Sequence, residues 1–281
     1  MTDPILCSCC GTPARRAYAL RECIYYLCPE CHTYFMFPLP TPEGMKNYAE
    51  QHYLDGVYAQ YTKARELKVA TCRERLKTIG RYAQGKKLID LGCSCGFMVE
   101  AALEAGYDAR GVEFSEAAVK AAAPAIRERI TVGDIHNLKG GGYDVVTAFD
   151  ILEHTRDPLG TLRQWATLLN PRGILVIATP NTDSLFRKIM GSRWPMLQPY
   201  QHTFLFSGKH FGRLLEKSGL HPLELRPAIK VMTPGYLAKQ LELYFPLMSR
   251  LSLDLGRLFP RFSGLPIPFR IGEFLSISGK K

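Results

Sequence analysis

LIDLGCSCGFMVEAALEAG, Leu88 to Gly106, decides how this chain is read. An apolar run ends in a turn that holds Gly92 and Gly96, and a run of helix formers follows, closed by Gly106. Such a stop glycine adopts the left-handed conformation that ends helices. The unit is therefore strand, glycine turn, helix. Downstream the alternation continues. DARGVEF reads as a strand, and Ser115 caps the helix EAAVKAAA. RITVGD, YDVVTAFD and GILVIATP read as further strands. The helix PLGTLRQWATLLN lies between the last two, with Pro158 at its start. Strands alternating with helices imply a parallel sheet covered on both faces.

In such sheets ligands sit beyond the carboxyl ends of the strands. Gly92 and Gly96 let the backbone pass close to a ligand, and the helix N-terminus offers free N–H groups. Glu113 ends the second strand, 23 residues after Asp90. A carboxylate there can accept both hydroxyls of a ribose. The dinucleotide pattern G-x-G-x-x-G is absent. Cys93 and Cys95 are two apart, not the C-x-x-C of zinc or redox sites, and read as small side chains that fit a tight turn.

LIDLGCSCG, GVEFS, GDIHNL, FDILEHTRDP and LNPRGILVIATPN, in that order, resemble the successive motifs of class I S-adenosylmethionine-dependent methyltransferases. The resemblance covers about residues 85–220 and the final strand. It looks closest to the ubiquinone-biosynthesis O-methyltransferase group. It implies an α/β, Rossmann-like sheet, mostly parallel with an antiparallel last strand, and S-adenosylmethionine as cofactor. By position, it implies that Gly92, Ser94 and Gly96 line the methionine end, with Cys93 in the same loop. Asp90 would orient that loop, Glu113 bind the ribose and Phe114 pack on the adenine. Asp134 and Ile135 would contact the adenine, and Asp150 and Ile151 close the site. Ser94 stands where glycine is commoner.

The N-terminus carries a different signal. Cys7-x-x-Cys10 and Cys28-x-x-Cys31 form two knuckles with 17 residues between. Tetrahedral zinc takes four thiolates in this spacing, and a segment of about 40 residues has little core without it. A closed four-ligand zinc is structural. Cys9 and His32 are spare donors; Cys23 and Cys72 read as apolar core. The expected organisation is a zinc-ribbon-like module at 1–40, a helical linker or cap at 41–84, and a methyltransferase domain at 85–281. Within the linker, Leu67, Ala70, Leu76 and Ile79 give helical spacing from Tyr61 to Tyr82. The layout resembles sugar C-methyltransferases and ribosomal RNA guanine methyltransferases with N-terminal zinc modules.

Methyl transfer from a sulfonium is an in-line displacement, so the protein supplies positioning and a base. His154 in LEH and His202 in PYQHTFLFS are the candidate catalytic residues. Either can instead be a fixed loop histidine bonded to a backbone carbonyl. His210 and His221 read as surface. The resemblance also implies a divalent cation at Asp150, Glu153 and His154, where oxygen ligands would suit magnesium. RWPMLQPYQHTFLF reads as a substrate-pocket wall. A helical insertion is expected near 234–262. Its apolar positions recur at helical spacing among Lys239, Arg250, Arg257 and Arg261, as a helix packed on the core, a lid, or a surface for an anionic membrane.

The 281-residue chain has net charge +10. Residues 1–84 contribute 11 − 8 = +3, residues 85–180 contribute 10 − 12 = −2, and residues 181–281 contribute 15 − 6 = +9. No 18-residue apolar stretch or secretory signal is apparent, and nine cysteines suit a reducing compartment. The expected location is cytoplasmic, with peripheral contact at the inner membrane face as a variant. Three functions fit: methylation of a small-molecule, lipid-linked or sugar acceptor, at oxygen; methylation of ribosomal or transfer RNA gripped by the zinc module and basic tail; or binding without catalysis. The basic residues of 181–281 alternate with apolar ones rather than forming a strip, which favours the first over nucleic acid.

Overall fold

The computed structural model describes residues 4–20, 23–52, 64–138, 140–241, 263–270 and 272–280. Thirteen strands are present among them: β1 (Arg15–Leu20), β2 (Cys23–Leu27), β3 (Tyr34–Phe37), β4 (Lys87–Leu91), β5 (Asp108–Glu113), β6 (Ile130–Val132), β7 (Tyr143–Phe149), β8 (Leu169–Pro180), β9 (Phe204–Leu205), β10 (Leu220–Pro227), β11 (Lys230–Met232), β12 (Ile267–Phe269) and β13 (Glu273–Lys280). The described helices are α1 (Pro42–His52), α2 (Arg65–Ile79), α3 (Phe97–Glu104), α4 (Glu116–Ala121), α5 (Pro124–Arg127), α6 (Pro158–Thr167), α7 (Leu185–Met190), α8 (Phe211–Lys217) and α9 (Pro234–Leu241).

Seven strands form one sheet in the order β10-β13-β8-β7-β4-β5-β6. β8, β7, β4, β5 and β6 are mutually parallel. β13 runs antiparallel between β8 and β10. Alternate side chains of each strand feed opposite faces, as the two-residue period requires. Leu88, Val145, Val176 and Ile277 face a core shared with Val69, Leu76 and Ile79 of α2 and Met98 and Val99 of α3. Ile89, Val146, Leu175 and Phe274 face the other core, with Leu162 and Trp165 of α6 and Phe211 and Leu215 of α8. β4 therefore buries both faces, which explains why its sequence is apolar without alternation.

The N-terminal segment makes a second sheet, β1-β2-β3-β9. Its fourth strand comes from beyond β8 of the large sheet: Tyr34 pairs with Leu205 and Phe35 with Phe204. Phe35, Cys7, Cys9 and Cys28 belong to the same core as Phe204 and Phe211. Cys23 and Cys72 are buried, as expected. Of the expected 234–262 insertion, α9 is described, and β11 pairs with β12 to close its base; the helix expected over 242–262 lies outside the described residues.

The two cysteines of the opening stretch pack inward. Cys93 and Cys95 are both buried. A Cβ on Gly111 would lie 2.4 Å from Cys93 Sγ and 3.1 Å from Val99 Cγ2. β5 thus needs a glycine where the cysteine of the neighbouring turn crosses it. Gly111→Ala should lower the unfolding free energy by about 1–3 kcal/mol in urea titration. Adding Cys93→Ala should recover part of that loss; no recovery would reject the contact as the cause.

Candidate active site

The loop after β4 packs against the turn after β7. Gly92 has φ +64°, and a Cβ there would lie 2.2 Å from Ile151 Cδ1. Ser94 also lies in the left-handed region, at φ +52°. A non-glycine residue pays about 1 kcal/mol there, so something must hold the loop. Glu113 does. Ser94 N–H donates to Glu113 Oε2 at 2.8 Å, and Ser115 N–H donates to Oε1 at 3.0 Å. Glu113 is only 2 % exposed, and burial pushes its carboxyl above the ordinary value against those amide bonds. Asp90 is also buried. Its Oδ1 accepts from Thr147 Oγ1 at 2.6 Å, tying β4 to β7, and burial pushes its carboxyl up to about 7.

The other expected residues surround this loop. Phe114 is 39 % exposed beside Glu113. Asp134 caps the short turn of 3-10 helix at Ile135–Asn137, accepting from His136 N at 2.8 Å. Ile135 is packed on the core. Asp150 has φ +56° and donates its N–H to Ala178 O at 2.8 Å.

His154 and His202 come together. Their ring centroids are 5.0 Å apart. His154 Nδ1 lies 2.6 Å from Gln201 O, and His202 Nδ1 lies 2.8 Å from Met196 O. A carbonyl oxygen only accepts, so both Nδ1 atoms carry the proton and both Nε2 atoms are bare in the neutral rings. Each histidine is thus a fixed loop residue whose neutral ring keeps one unprotonated nitrogen. Glu153 completes the cluster: one donor atom each from Glu153, His154 and His202 lies within 4.8 Å of the others. Glu153 is buried and accepts from Thr179 Oγ1 at 2.9 Å. Burial and then the Asp150 charge push its carboxyl well above the usual range. Burial lowers His154, and lowers His202 to about 3.

A Methyltransferase domain family matches residues 61–225. The chain belongs to that family. The protein is an S-adenosylmethionine-dependent methyltransferase. The ubiquinone biosynthesis O-methyltransferase of Bordetella avium is 27% identical over 179 residues, 56% of this chain and 73% of that protein. That of Nitrosospira multiformis is 28% identical over 182 residues, 57% and 76% respectively. Among solved structures, the mitomycin 7-O-methyltransferase MmcR superposes with TM-score 0.54 at 15% identity, over 83% of this chain and 60% of that one. A methyltransferase of Thermotoga maritima superposes with TM-score 0.53 at 16% identity, over 82% and 99%. The likeness to these structures is one of fold.

The methyltransferase's N-terminal cysteines also converge. Cys7 and Cys31 Sγ are 3.6 Å apart, Cys10 and Cys28 3.3 Å, and Cys10 and Cys31 3.7 Å, all four within 4.8 Å of one another. Four sulfurs around a tetrahedral ion with bonds of 2.3 Å stand about 3.8 Å apart, so the donor set fits. Burial pushes the Cys28 thiol up to about 11, whereas at Cys10 bonds from Thr12 outweigh burial and bring it to about 7. Cys9 is buried but outside the set. His32 stacks on His210 at 4.1 Å. His210 also bonds Ser207 Oγ through Nδ1 at 2.8 Å, so it is a packed residue rather than the surface one expected.

Four residues around the methyltransferase's histidine pair and Asp150 carry no motif of their own in the sequence. Arg75 of α2 is buried, with its guanidinium 4.3 Å over the Phe149 ring and 3.7 Å from Glu273. Lys230 of β11 bonds Glu273 and lies 3.9 Å from Asp150 Oδ2. Burial would raise the Asp150 carboxyl, but the charges of Lys230 and Arg75 outweigh it and hold it low. Tyr25, in the N-terminal sheet, is the fourth. One signal was visible for Arg75: it falls three after Cys72 and four before Ile79, on the apolar stripe of its helix.

The lowered His202 predicts a pH effect. Above about pH 6.5 both folded and unfolded states leave this ring neutral. Below it the unfolded chain gains a proton that the native state refuses until about pH 3, so stability falls as pH drops through that window. His202→Asn should flatten the fall of unfolding free energy by up to roughly 1.4 kcal/mol per pH unit. Parallel curves for variant and wild type would mean that His202 does not titrate this way.

Proposed function

We propose that this methyltransferase moves the methyl group of S-adenosylmethionine to a hydroxyl oxygen of a small organic or lipid-linked acceptor, with His154 as the base. The observation that carries the reading is the pair of bare imidazole nitrogens beside buried Glu153, three residues past the turn that touches the cofactor loop. The ubiquinone-type relatives, whose names place them as O-methyltransferases, support oxygen as the target.

The cofactor supplies the electrophilic methyl group. The residues divide the remaining work. The Glu113 carboxylate has about four acceptor positions; backbone amides of Ser94, Ser115 and Phe114 hold it, and its remaining acceptor capacity is offered to the ribose. Phe114 offers a ring face to the adenine, and Asp134 and Ile135 form the wall beyond it. Gly92, Cys93, Ser94 and Gly96 bring backbone to the methionine end. Asp90 fixes that loop through β4, and Asp150 and Ile151 close the side toward the acceptor. His154 Nε2 takes the hydroxyl proton as the new bond to carbon forms. His202 is the more deeply buried of the two rings, and it orients the acceptor.

The four-cysteine centre holds zinc in a closed, structural site on this reading. Magnesium is less well matched: in the structure the third donor beside Glu153 and His154 is His202, not Asp150. Two imidazoles suit a borderline ion better than magnesium. No step is routed through a cation there.

Two measurements test this reading. The protein is incubated with methyl-labelled S-adenosylmethionine and an extract of its source cells. Label should enter the organic-soluble or small polar fraction, and His154→Ala should cut transfer by roughly 10²-fold or more while S-adenosylhomocysteine affinity stays constant. Label in RNA, or full activity of the variant, would overturn acceptor class or base respectively. Metal analysis of purified protein should give about one zinc per chain; its absence, with all thiols titratable, would reject the zinc site.

A further inference from the structure

The segment from Trp194 to Leu205 supplies both halves of the histidine pair's support. It carries His202, and its Gln201 carbonyl accepts the Nδ1 proton of His154. Most of it has no regular structure: β9 covers only its last two residues. An irregular chain keeps a carbonyl in one direction only if something outside holds it.

What holds it comes from the cysteine module. The Tyr25 hydroxyl on β2 donates to His202 O at 2.6 Å and to Gln198 O at 3.2 Å. Met36 N–H on β3 donates to Thr203 O at 2.9 Å. β3 and β9 then pair through residues 34–35 and 204–205. The contact is also apolar: Trp194, Leu197 and Leu205 share a core with Cys23, Tyr25 and Met36. Arg187 of α7 bonds the hydroxyls of Tyr18 and Tyr34. From Thr203 the links continue to the other histidine. Its Oγ1 donates to Glu153 O at 3.0 Å and to Thr155 O at 2.6 Å, flanking His154. Tyr25 is fully buried, so its hydroxyl depends on these bonds.

We infer that the four-cysteine module is the positioning element for the acceptor side of the active site, and that the Tyr25 hydroxyl is the residue through which it sets His202. Tyr25 acts through His202 and touches no reacting atom. The inference rests on the reading that His154 and His202 face the acceptor. It also gives the metal a role: zinc holds the knuckles, the knuckles hold β2 and β3, and these hold the histidines. The cofactor loop, built from β4 and β5, lies outside this chain of contacts.

The test uses full-length protein carrying 5-fluorotryptophan and carbon-13-labelled histidine. Trp194 reports on the held segment, and Trp165, buried under α6 in the other core, is the internal control. Tyr25→Phe removes only the hydroxyl. It should displace the His202 and Trp194 signals, assigned with His202→Asn and Trp194→Phe, and leave Trp165 in place. S-adenosylhomocysteine affinity by calorimetry should stay unchanged, while methyl transfer falls by roughly tenfold to a hundredfold. Stripping the metal from the wild-type chain with a chelator should produce the same displaced signals, which keeps the test open if the variant does not fold. Unmoved His202 and Trp194 signals in either experiment would overturn the inference, as would a matching loss of cofactor affinity. If the signals move but His154→Ala and His202→Asn still transfer methyl at the wild-type rate, the positioning stands and the acceptor-side reading falls.

Discussion

Glu113 joins two backbone segments with one side chain. A buried carboxylate must have its oxygens bonded, and here the donors are backbone amides, those of Ser94 and Ser115 with Phe114 beside them. The bonds run in both directions of benefit. The carboxylate gains partners, and a loop with two glycines and a serine in the left-handed region gains a fixed shape. Asp90 repeats the arrangement one strand over, using Thr147. Because β4, β5 and β7 are neighbours in the sheet, these ties meet at its carboxyl edge. A ligand arriving there finds the loop already in place, which lowers the ordering cost of binding.

The histidine pair follows different rules. No strand of the large sheet carries His154 or His202. One lies in a short 3-10 turn after β7, the other in an irregular segment. The sheet provides rigidity to one half of the site, and the cysteine-bearing sheet provides it to the other. The cluster of Arg75, Glu273, Lys230 and Asp150 sits between them. Its charges come from α2, β13, β11 and the β7 turn, so it joins four parts of the chain at one point.

What the sequence disclosed was local. The strand–turn–helix unit, the paired C-x-x-C knuckles and the LEH turn each lie within a few residues, and periodicity or spacing carries them. The strand alternation was legible for the same reason, whereas the antiparallel last strand was implied only by the family resemblance. The missing parts are pairings between distant positions. Nothing near His202 announces that it will face Glu153, and nothing near Tyr25 announces a carbonyl beyond residue 200. Lys230 and Glu273 look like ordinary charges, since only the fold takes them out of water. A two-residue strand such as β9 has no period to read. Nothing near His210 announces its stacking partner, because His32 lies in the loop between β2 and β3, far away in sequence.

The shared strand has a consequence for biosynthesis. β3 ends the first sheet to leave the ribosome, but its neighbour β9 is made only after β4 to β8 of the large sheet. Until then the nascent chain presents an unpaired edge, the feature that invites pairing with other chains. The cysteine knuckles precede that edge or lie beside it in the chain, so they can form before its partner strand exists. Completion of the four-stranded sheet is then a late event in translation, when the segment that carries β9 docks onto strands made long before it.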